Sequence, residues 1–254
     1  MNTLALPARP NVLRTYWLEA RNEFLRLLRS PSFAVPTLVF PPMFYVLFAV
    51  LLNHKGGPQV ATHLVATYGV FGVMAPGLFG FGVAIAMDRE RGFLALKRAQ
   101  PVPGGAVMFS RMAMAMVFAT AISLLLLAIA TTLAGVSLSA SQAIRLVLVD
   151  AFGVLPFCAI GLFVGSLASG QGAPAVINMI YLPMAFLAGL WMPLSMLPPF
   201  IATLAPLWPA HHLAQIALDV VGAKSDGRTG LHVLVLALYG MAFFFAARRR
   251  LARG

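Results

Sequence analysis

Six long apolar stretches, at about residues 34–53, 62–87, 111–134, 143–168, 174–192 and 229–247, alternate with short polar breaks along this chain. A bilayer's hydrocarbon core of roughly 30 Å takes about 20 apolar residues in helical form. Each stretch therefore has the length of a membrane-crossing helix. A transmembrane β-barrel would show short segments of alternating polarity instead, and these are absent from the sequence. The pattern predicts an all-α integral membrane protein with six transmembrane helices.

Two further elements follow from finer periodicity. Before the first span, Leu13, Tyr16, Trp17, Ala20, Phe24, Leu27 and Leu28 recur at helical spacing, while Arg14, Arg21, Asn22, Arg26 and Arg29 occupy much of the other face. This predicts an amphipathic helix lying along the cytoplasmic interface and stopped by Ser30-Pro31. Between the fifth and sixth spans, Pro193, Pro198, Pro199, Pro206 and Pro209 break an apolar sequence into pieces too short to cross and too apolar for a free loop. A short outer-side re-entrant helical hairpin over 193–228 satisfies both constraints, provided protein shields its backbone. Pro36, Pro41 and Pro42 predict irregular backbone in the first half of span one. Gly161 and Gly165 form a G-x-x-x-G pair suited to close helix packing.

Composition agrees with the pattern: 60% of residues are hydrophobic and only 10% charged, against about a quarter charged in soluble domains. The net charge of +11 raises the question of nucleic acid, but its distribution answers otherwise. Five Lys and Arg precede the first span, five lie at 88–111 and four follow the last span, against four (Lys55, Arg145, Lys224, Arg228) on the other side. That bias places both termini and the second loop in the cytoplasm, where basic side chains also suit anionic lipid headgroups. No cleavage site follows the first apolar run, so no removable signal peptide is expected. The single cysteine, Cys158, lies inside a span and reads as packing.

The densest charge is Asp88-Arg89-Glu90-Arg91-Gly92-Phe93-Leu94-Ala95-Leu96-Lys97-Arg98, between spans two and three. Charge concentrated on a short water-facing loop suggests docking of a soluble partner. Asp150, some seven residues into span four, is an ionisable group inside the membrane and a candidate for function by default. Arg145, five residues away, is at an awkward helical offset, which leaves room for a partner on another helix. His54, His63, His211, His212 and His232 fall on the outer side without metal-ligand spacing and read as interfacial side chains.

Taken together, the chain resembles the membrane subunit of ABC-2-type ATP-binding-cassette exporters. The resemblance rests on the amphipathic lead-in, the six spans, the Arg89-Glu90-Arg91-Gly92…Leu96…Pro101-Val102 loop, and Gly189-Leu190-Trp191-Met192-Pro193-Leu194-Ser195-Met196-Leu197-Pro198 followed by Pro206-Leu207-Trp208-Pro209. Asp88, Ala95 and Ser195 depart from residues usual in that family. The resemblance implies that loop 88–110 is a coupling element seated on a separate ATPase subunit. Arg89, Glu90, Arg91, Gly92, Phe93 and Leu96 would make that contact, the charges steering it and the apolar side chains anchoring it. It also implies a second permease copy, as homodimer or close-paralogue heterodimer, and Pro193, Leu197 and Pro198 as the motif of the re-entrant segment.

The domain layout expected is 1–33 as cytoplasmic lead-in and 34–254 as the six-helix domain, in a plasma (bacterial inner) membrane. No lysine follows glycine, so no Walker A loop exists in the sequence. ATP and Mg2+ are accordingly expected on the partner. An intramembrane serine protease fails because Ser169 and His232 fall at opposite membrane faces. The cargo cleft is expected between spans one, two and five, where Phe40, Phe44, Phe71, Phe79, Met179, Phe186 and Met192, with Asp150, would line a path for an amphipathic or hydrophobic substrate. A non-transporting membrane scaffold or assembly factor is the alternative.

Overall fold

The computed structural model describes residues 12–53, 56–93, 96 and 105–253, and every regular element among them is helical. Helix α1 (Val12–Leu28) leads into α2 (Pro31–Tyr45), which continues through a π-helical turn, Val46–Leu51. Helix α3 (Gly57–Ala75), a second π turn (Pro76–Phe81) and α4 (Gly82–Glu90) form one rod. Then come α5 (Ala106–Leu133), α6 (Ala140–Leu167), α7 (Ala173–Leu187), α8 (Pro199–Leu204), α9 (Pro209–Val221) and α10 (Thr229–Arg253). Residues 1–11, His54, Lys55, Leu94, Ala95, 97–104 and Gly254 lie outside the described residues, and with them Pro101, Val102 and much of the expected 88–110 loop.

Among the described residues, five helical stretches are long and apolar enough to cross a membrane: Pro31–Leu51, Gly57–Glu90, Ala106–Leu133, Ala140–Leu167 and Thr229–Leu251. The expected fifth span, 174–192, differs. Its helix α7 has 15 residues, about 22 Å at 1.5 Å per residue. Gly189 at φ +76° turns the chain out of the helix. By contrast the rod Gly57–Glu90 has 34 residues, about 50 Å, so its charged end projects well past a hydrocarbon core.

The prolines of α2 sit inside regular α-helix, and the irregular backbone is the π turn after them rather than the first half. Pro41 and Pro42 are buried, and Pro41 packs against Gly72 of α3. Neighbouring helices of this kind let a membrane helix tolerate proline.

Small residues set the central contact, where α6 lies along the rod. A β-carbon at Gly161 would stand 2.6 Å from the Gly77 carbonyl oxygen, and one at Gly82 would stand 2.8 Å from the Gly161 carbonyl oxygen. Gly165 meets the Gly82 carbonyl oxygen in the same way. Backbone therefore touches backbone along the seam, which no side chain permits.

The segment after α7 folds back into the bundle. Three contacts register it antiparallel to α10: Thr229 Oγ1 donates to Asp219 Oδ2 at 2.7 Å, His212 meets His232, and Tyr239 OH donates to the Leu207 carbonyl at 2.6 Å. Leu207 thus lies beside a residue ten positions, about 15 Å, along α10. Helix α9 buries one face against α3, α6 and α10 and ends at Gly222, φ +73°.

Helix α1 divides its apolar residues. Tyr16 packs on Phe109 and Phe24 on Phe118 of α5, while Trp17 stays 69% exposed and Leu28 is also exposed.

Overpacking tests the glycine seam. Gly165→Val should destabilise the bundle by about 1–3 kcal/mol, read as a lower thermal midpoint in detergent. Gly230→Val, with nothing within 4 Å of its β-carbon position, should leave the packing unchanged. Equal midpoints for Gly165→Val and wild type would contradict the seam.

Candidate functional site

At the charged end of the molecule, Arg111 is 1% exposed and enters the bundle in the second turn of α5. A buried guanidinium survives only with ionised partners. Arg111 Nη2 binds Asp88 Oδ2 at the end of α4, and Nε lies 3.2 Å from Glu23 Oε1 on α1. Arg26 adds contacts of 3.5 Å to Glu23 and 3.4 Å to Asp88. Two cations and two carboxylates thereby join α1, α4 and α5. They hold together both stems of the 91–105 connection.

The expected docking residues follow directly. Arg89, Glu90, Arg91, Gly92, Phe93 and Leu96 are all exposed, with Phe93 at 46% and Leu96 at 55%. Gly92, at φ +73°, ends the rod, its N–H donating to the Arg89 carbonyl at 3.2 Å. The side chains of Arg89 and Glu90 are also engaged within the chain. Arg89 donates to the Ser166 carbonyl and, at 2.7 Å, to the Ala168 carbonyl, capping the C-terminus of α6. Glu90 Oε2 accepts from the Gly170 N–H at 2.8 Å. The loop base is thus clipped to the turn before α7.

Between α2, α3 and α7 lies a cavity of about 390 Å³, within the range of small-molecule sites. Phe40, Phe44, Phe71 and Phe79 line it with Tyr181 and Trp191. The rings form a continuous set: Phe40–Phe44 at 6.4 Å, Phe44–Phe71 at 6.2 Å, Phe71–Tyr181 at 5.0 Å and Phe79–Tyr181 at 5.6 Å. Tyr181 OH donates to the Phe71 carbonyl at 3.1 Å, tying α7 to α3. Asn178 adds a polar group to the lining. Phe40 and Leu182 are exposed and stand at the mouth.

The other expected cleft residues lie apart from this lining. Met179 points outward at 77% exposure, Phe186 packs on Trp191 at 6.2 Å, and Met192 is half-buried. Pro193, Leu197 and Pro198 flank the short 3-10 turn Leu194–Met196. Asp150 is fully buried away from the cavity. It accepts from Ser123 Oγ of α5 at 2.6 Å and packs on Gly69 of α3. Its partner is therefore on another helix, and Arg145 turns back to the Ser141 carbonyl.

Three of the five outer-side histidines depart from the interfacial reading, and His54 lies outside the described residues. His211, His212 and His232 are buried together, because α9 folds back onto α10 and removes them from solvent. His212 Nε2 faces the Pro206 carbonyl at 2.9 Å, His212 Nδ1 faces His232 Nδ1 at 2.7 Å, and His232 Nε2 faces Asp226 Oδ1 at 2.7 Å. A carbonyl only accepts, so His212 carries its proton on Nε2 and accepts at Nδ1 from His232. Burial lowers the pKa of His211 to about 4, helped by His212 and His232, and burial also lowers that of His212. Burial raises the Asp226 carboxyl pKa, but the His232 and Arg228 hydrogen bonds outweigh this and hold it below the ordinary value.

The family model described as ABC-2 type transporter matches residues 14–222. A Bacillus subtilis (strain 168) protein that bears the name transport permease YvfS is 26% identical over 229 residues, spanning 89% of this chain and 92% of that protein.

Both clusters can be tested by stability. Arg111→Met leaves Glu23 and Asp88 buried with Arg26 as their remaining cation among the described residues and should cost about 3–5 kcal/mol. The triple variant Glu23→Gln, Asp88→Asn, Arg111→Met should recover part of that loss in thermal unfolding, and no recovery would contradict the cluster. For His211 and His212 the folded pKa is depressed, so the unfolded chain binds protons first as pH falls below 6.5. Stability should therefore fall between about pH 6.5 and 4, and His211→Gln with His212→Gln should flatten that decline. An unaltered pH profile in the double variant would refute it.

Proposed function

The chain belongs to the ABC-2 type transporter family, and from that premise we propose that it is the membrane permease subunit of an ATP-driven exporter. The observation that carries this reading is the aromatic cavity between α2, α3 and α7, with its mouth at Phe40 and Leu182. An aromatic lining with one amide, that of Asn178, suits a drug-like, lipid or glycolipid-like cargo with a small polar part. The cargo leaves the cytoplasm or inner leaflet through this side of the subunit.

In this reading the charged end faces the cytoplasm and a separate ATPase subunit, which holds ATP and Mg2+. Nucleotide closure pushes Phe93 and Leu96. The Arg111 cluster makes α1, α4 and α5 move together, and the Arg89 and Glu90 contacts carry the push to the 166–172 turn and so to α7, a wall of the cavity. A second permease copy completes the pathway. Helix α7 with residues up to Met192 makes the fifth of six crossings, so both termini share the cytoplasmic side. The depth of Leu207 beside Tyr239 supports a re-entrant 193–228 segment, and exposed Trp17 and Leu28 support α1 at the lipid interface.

Photocross-linkers at Phe93 and Leu96 in native membranes should capture an ATPase bearing a Walker A loop. Glu90→Ala with Arg91→Ala should leave basal hydrolysis by the assembled complex and abolish its coupling to efflux of a fluorescent amphiphile. Cross-links confined to lipid, or full coupling in the double variant, would overturn the proposal.

A further inference from the structure

A second, larger recess lies on a different face, between α6, α9 and α10, with a volume of about 800 Å³ and a wall that is almost wholly apolar. Its α10 wall is a helical stripe: Val233, Ala237, Met241, Phe244 and Phe245 recur at intervals of three and four residues. Leu148, Phe152 and Pro156 of α6 face them. Several of these side chains, including Phe152, Met241 and Phe245, are exposed.

The stripe ends in charge. Arg248 and Arg249 stand four residues beyond Phe244 and Phe245, hence on the same face of α10 one turn further. Both are exposed, and neither has a carboxylate partner among the described residues. The apolar part of α10 from Leu231 to Ala247 is 17 residues in the sequence, about 25 Å at 1.5 Å per residue. The arginines therefore meet the headgroup layer where the apolar stripe leaves the hydrocarbon.

We propose that this recess is a binding site for an anionic phospholipid, its acyl chains along the α6–α10 groove and its phosphate between Arg248 and Arg249. Arginine forks match phosphate oxygens, and basic side chains beside a transmembrane groove select anionic headgroups. A second copy of the chain is a poorer occupant. Two-fold pairing about the membrane normal through α10 sets Arg248 and Arg249 of both copies at one depth, where like charges repel. The site is separate from the aromatic cavity and does not depend on its cargo.

The test uses the full-length chain with its retained partner subunits, reconstituted into nanodiscs of equimolar phosphatidylglycerol and phosphatidylcholine. Lipids remaining after extraction are counted by native mass spectrometry. Wild type should retain phosphatidylglycerol preferentially, and Arg248→Gln with Arg249→Gln should reduce that preference by roughly tenfold or more. Ala237→Trp, which fills the groove, should reduce retention of both lipids. Arg21→Gln with Arg29→Gln, removing exposed cations in α1 and just after it, should lower the preference far less than the α10 double variant does. Unchanged preference in the α10 double variant, an equal loss in the Arg21 and Arg29 variant, or efficient disulfide cross-linking of Met241→Cys between two copies would each overturn the site.

Discussion

The arrangement at the charged end depends on one buried cation. Arg111 is almost without solvent contact inside a helix that is otherwise apolar for most of its length. In a low-dielectric interior such a group imposes partners on the fold, since breaking the set costs far more than any one surface pair contributes. Here the partners come from α1 and α4, 88 and 23 positions earlier in the chain. Docking α1 on α5 and holding together the stems of the following loop are consequences of one requirement for charge balance.

A rigid loop base has mechanical meaning only if motion there reaches the rest of the bundle. The fold offers a short route. Arg89 and Glu90 hold the backbone of the turn between α6 and α7, and α7 is pinned to α3 through the Tyr181–Phe71 hydrogen bond and ring stack. The glycine seam between α6 and the rod resists shear there because backbone meets backbone. In the proposed export cycle, movement is directed toward the α2 and α7 side, where the aromatic cavity lies. Exposed and partly exposed rings there can repack without breaking a polar network.

Much of this architecture is legible in the amino-acid sequence. Apolar run length locates the five long helices to within a few residues, and the Gly161/Gly165 pair announces a close helix contact. The charged island marks Arg89 through Gly92, Phe93 and Leu96 as surface groups, and the ring residues Phe40, Phe44, Phe71 and Phe79 fall on one cavity. What escapes a linear reading depends on pairing across distance. Glu23 lies three residues from Ala20 and seven from Tyr16, on the apolar stripe of α1, a signal that it is buried and partnered. Nothing local names Arg111 as that partner. His212 and His232 meet only because α9 turns back along α10, a path that proline spacing suggests without setting its register. Apolarity also extends through 174–192 past the helix end, which Gly189 sets by backbone conformation rather than hydropathy.

In the proposed complex, the face bearing Phe93 and Leu96 meets the compartment that holds ATP. Leu96→Cys, in a chain whose buried native thiol is removed by Cys158→Ser, can be challenged with a membrane-impermeant maleimide in intact cells and in inverted membrane vesicles. Labelling in inverted vesicles and protection in intact cells is the expected result. Labelling of intact cells with protection in inverted vesicles would contradict it.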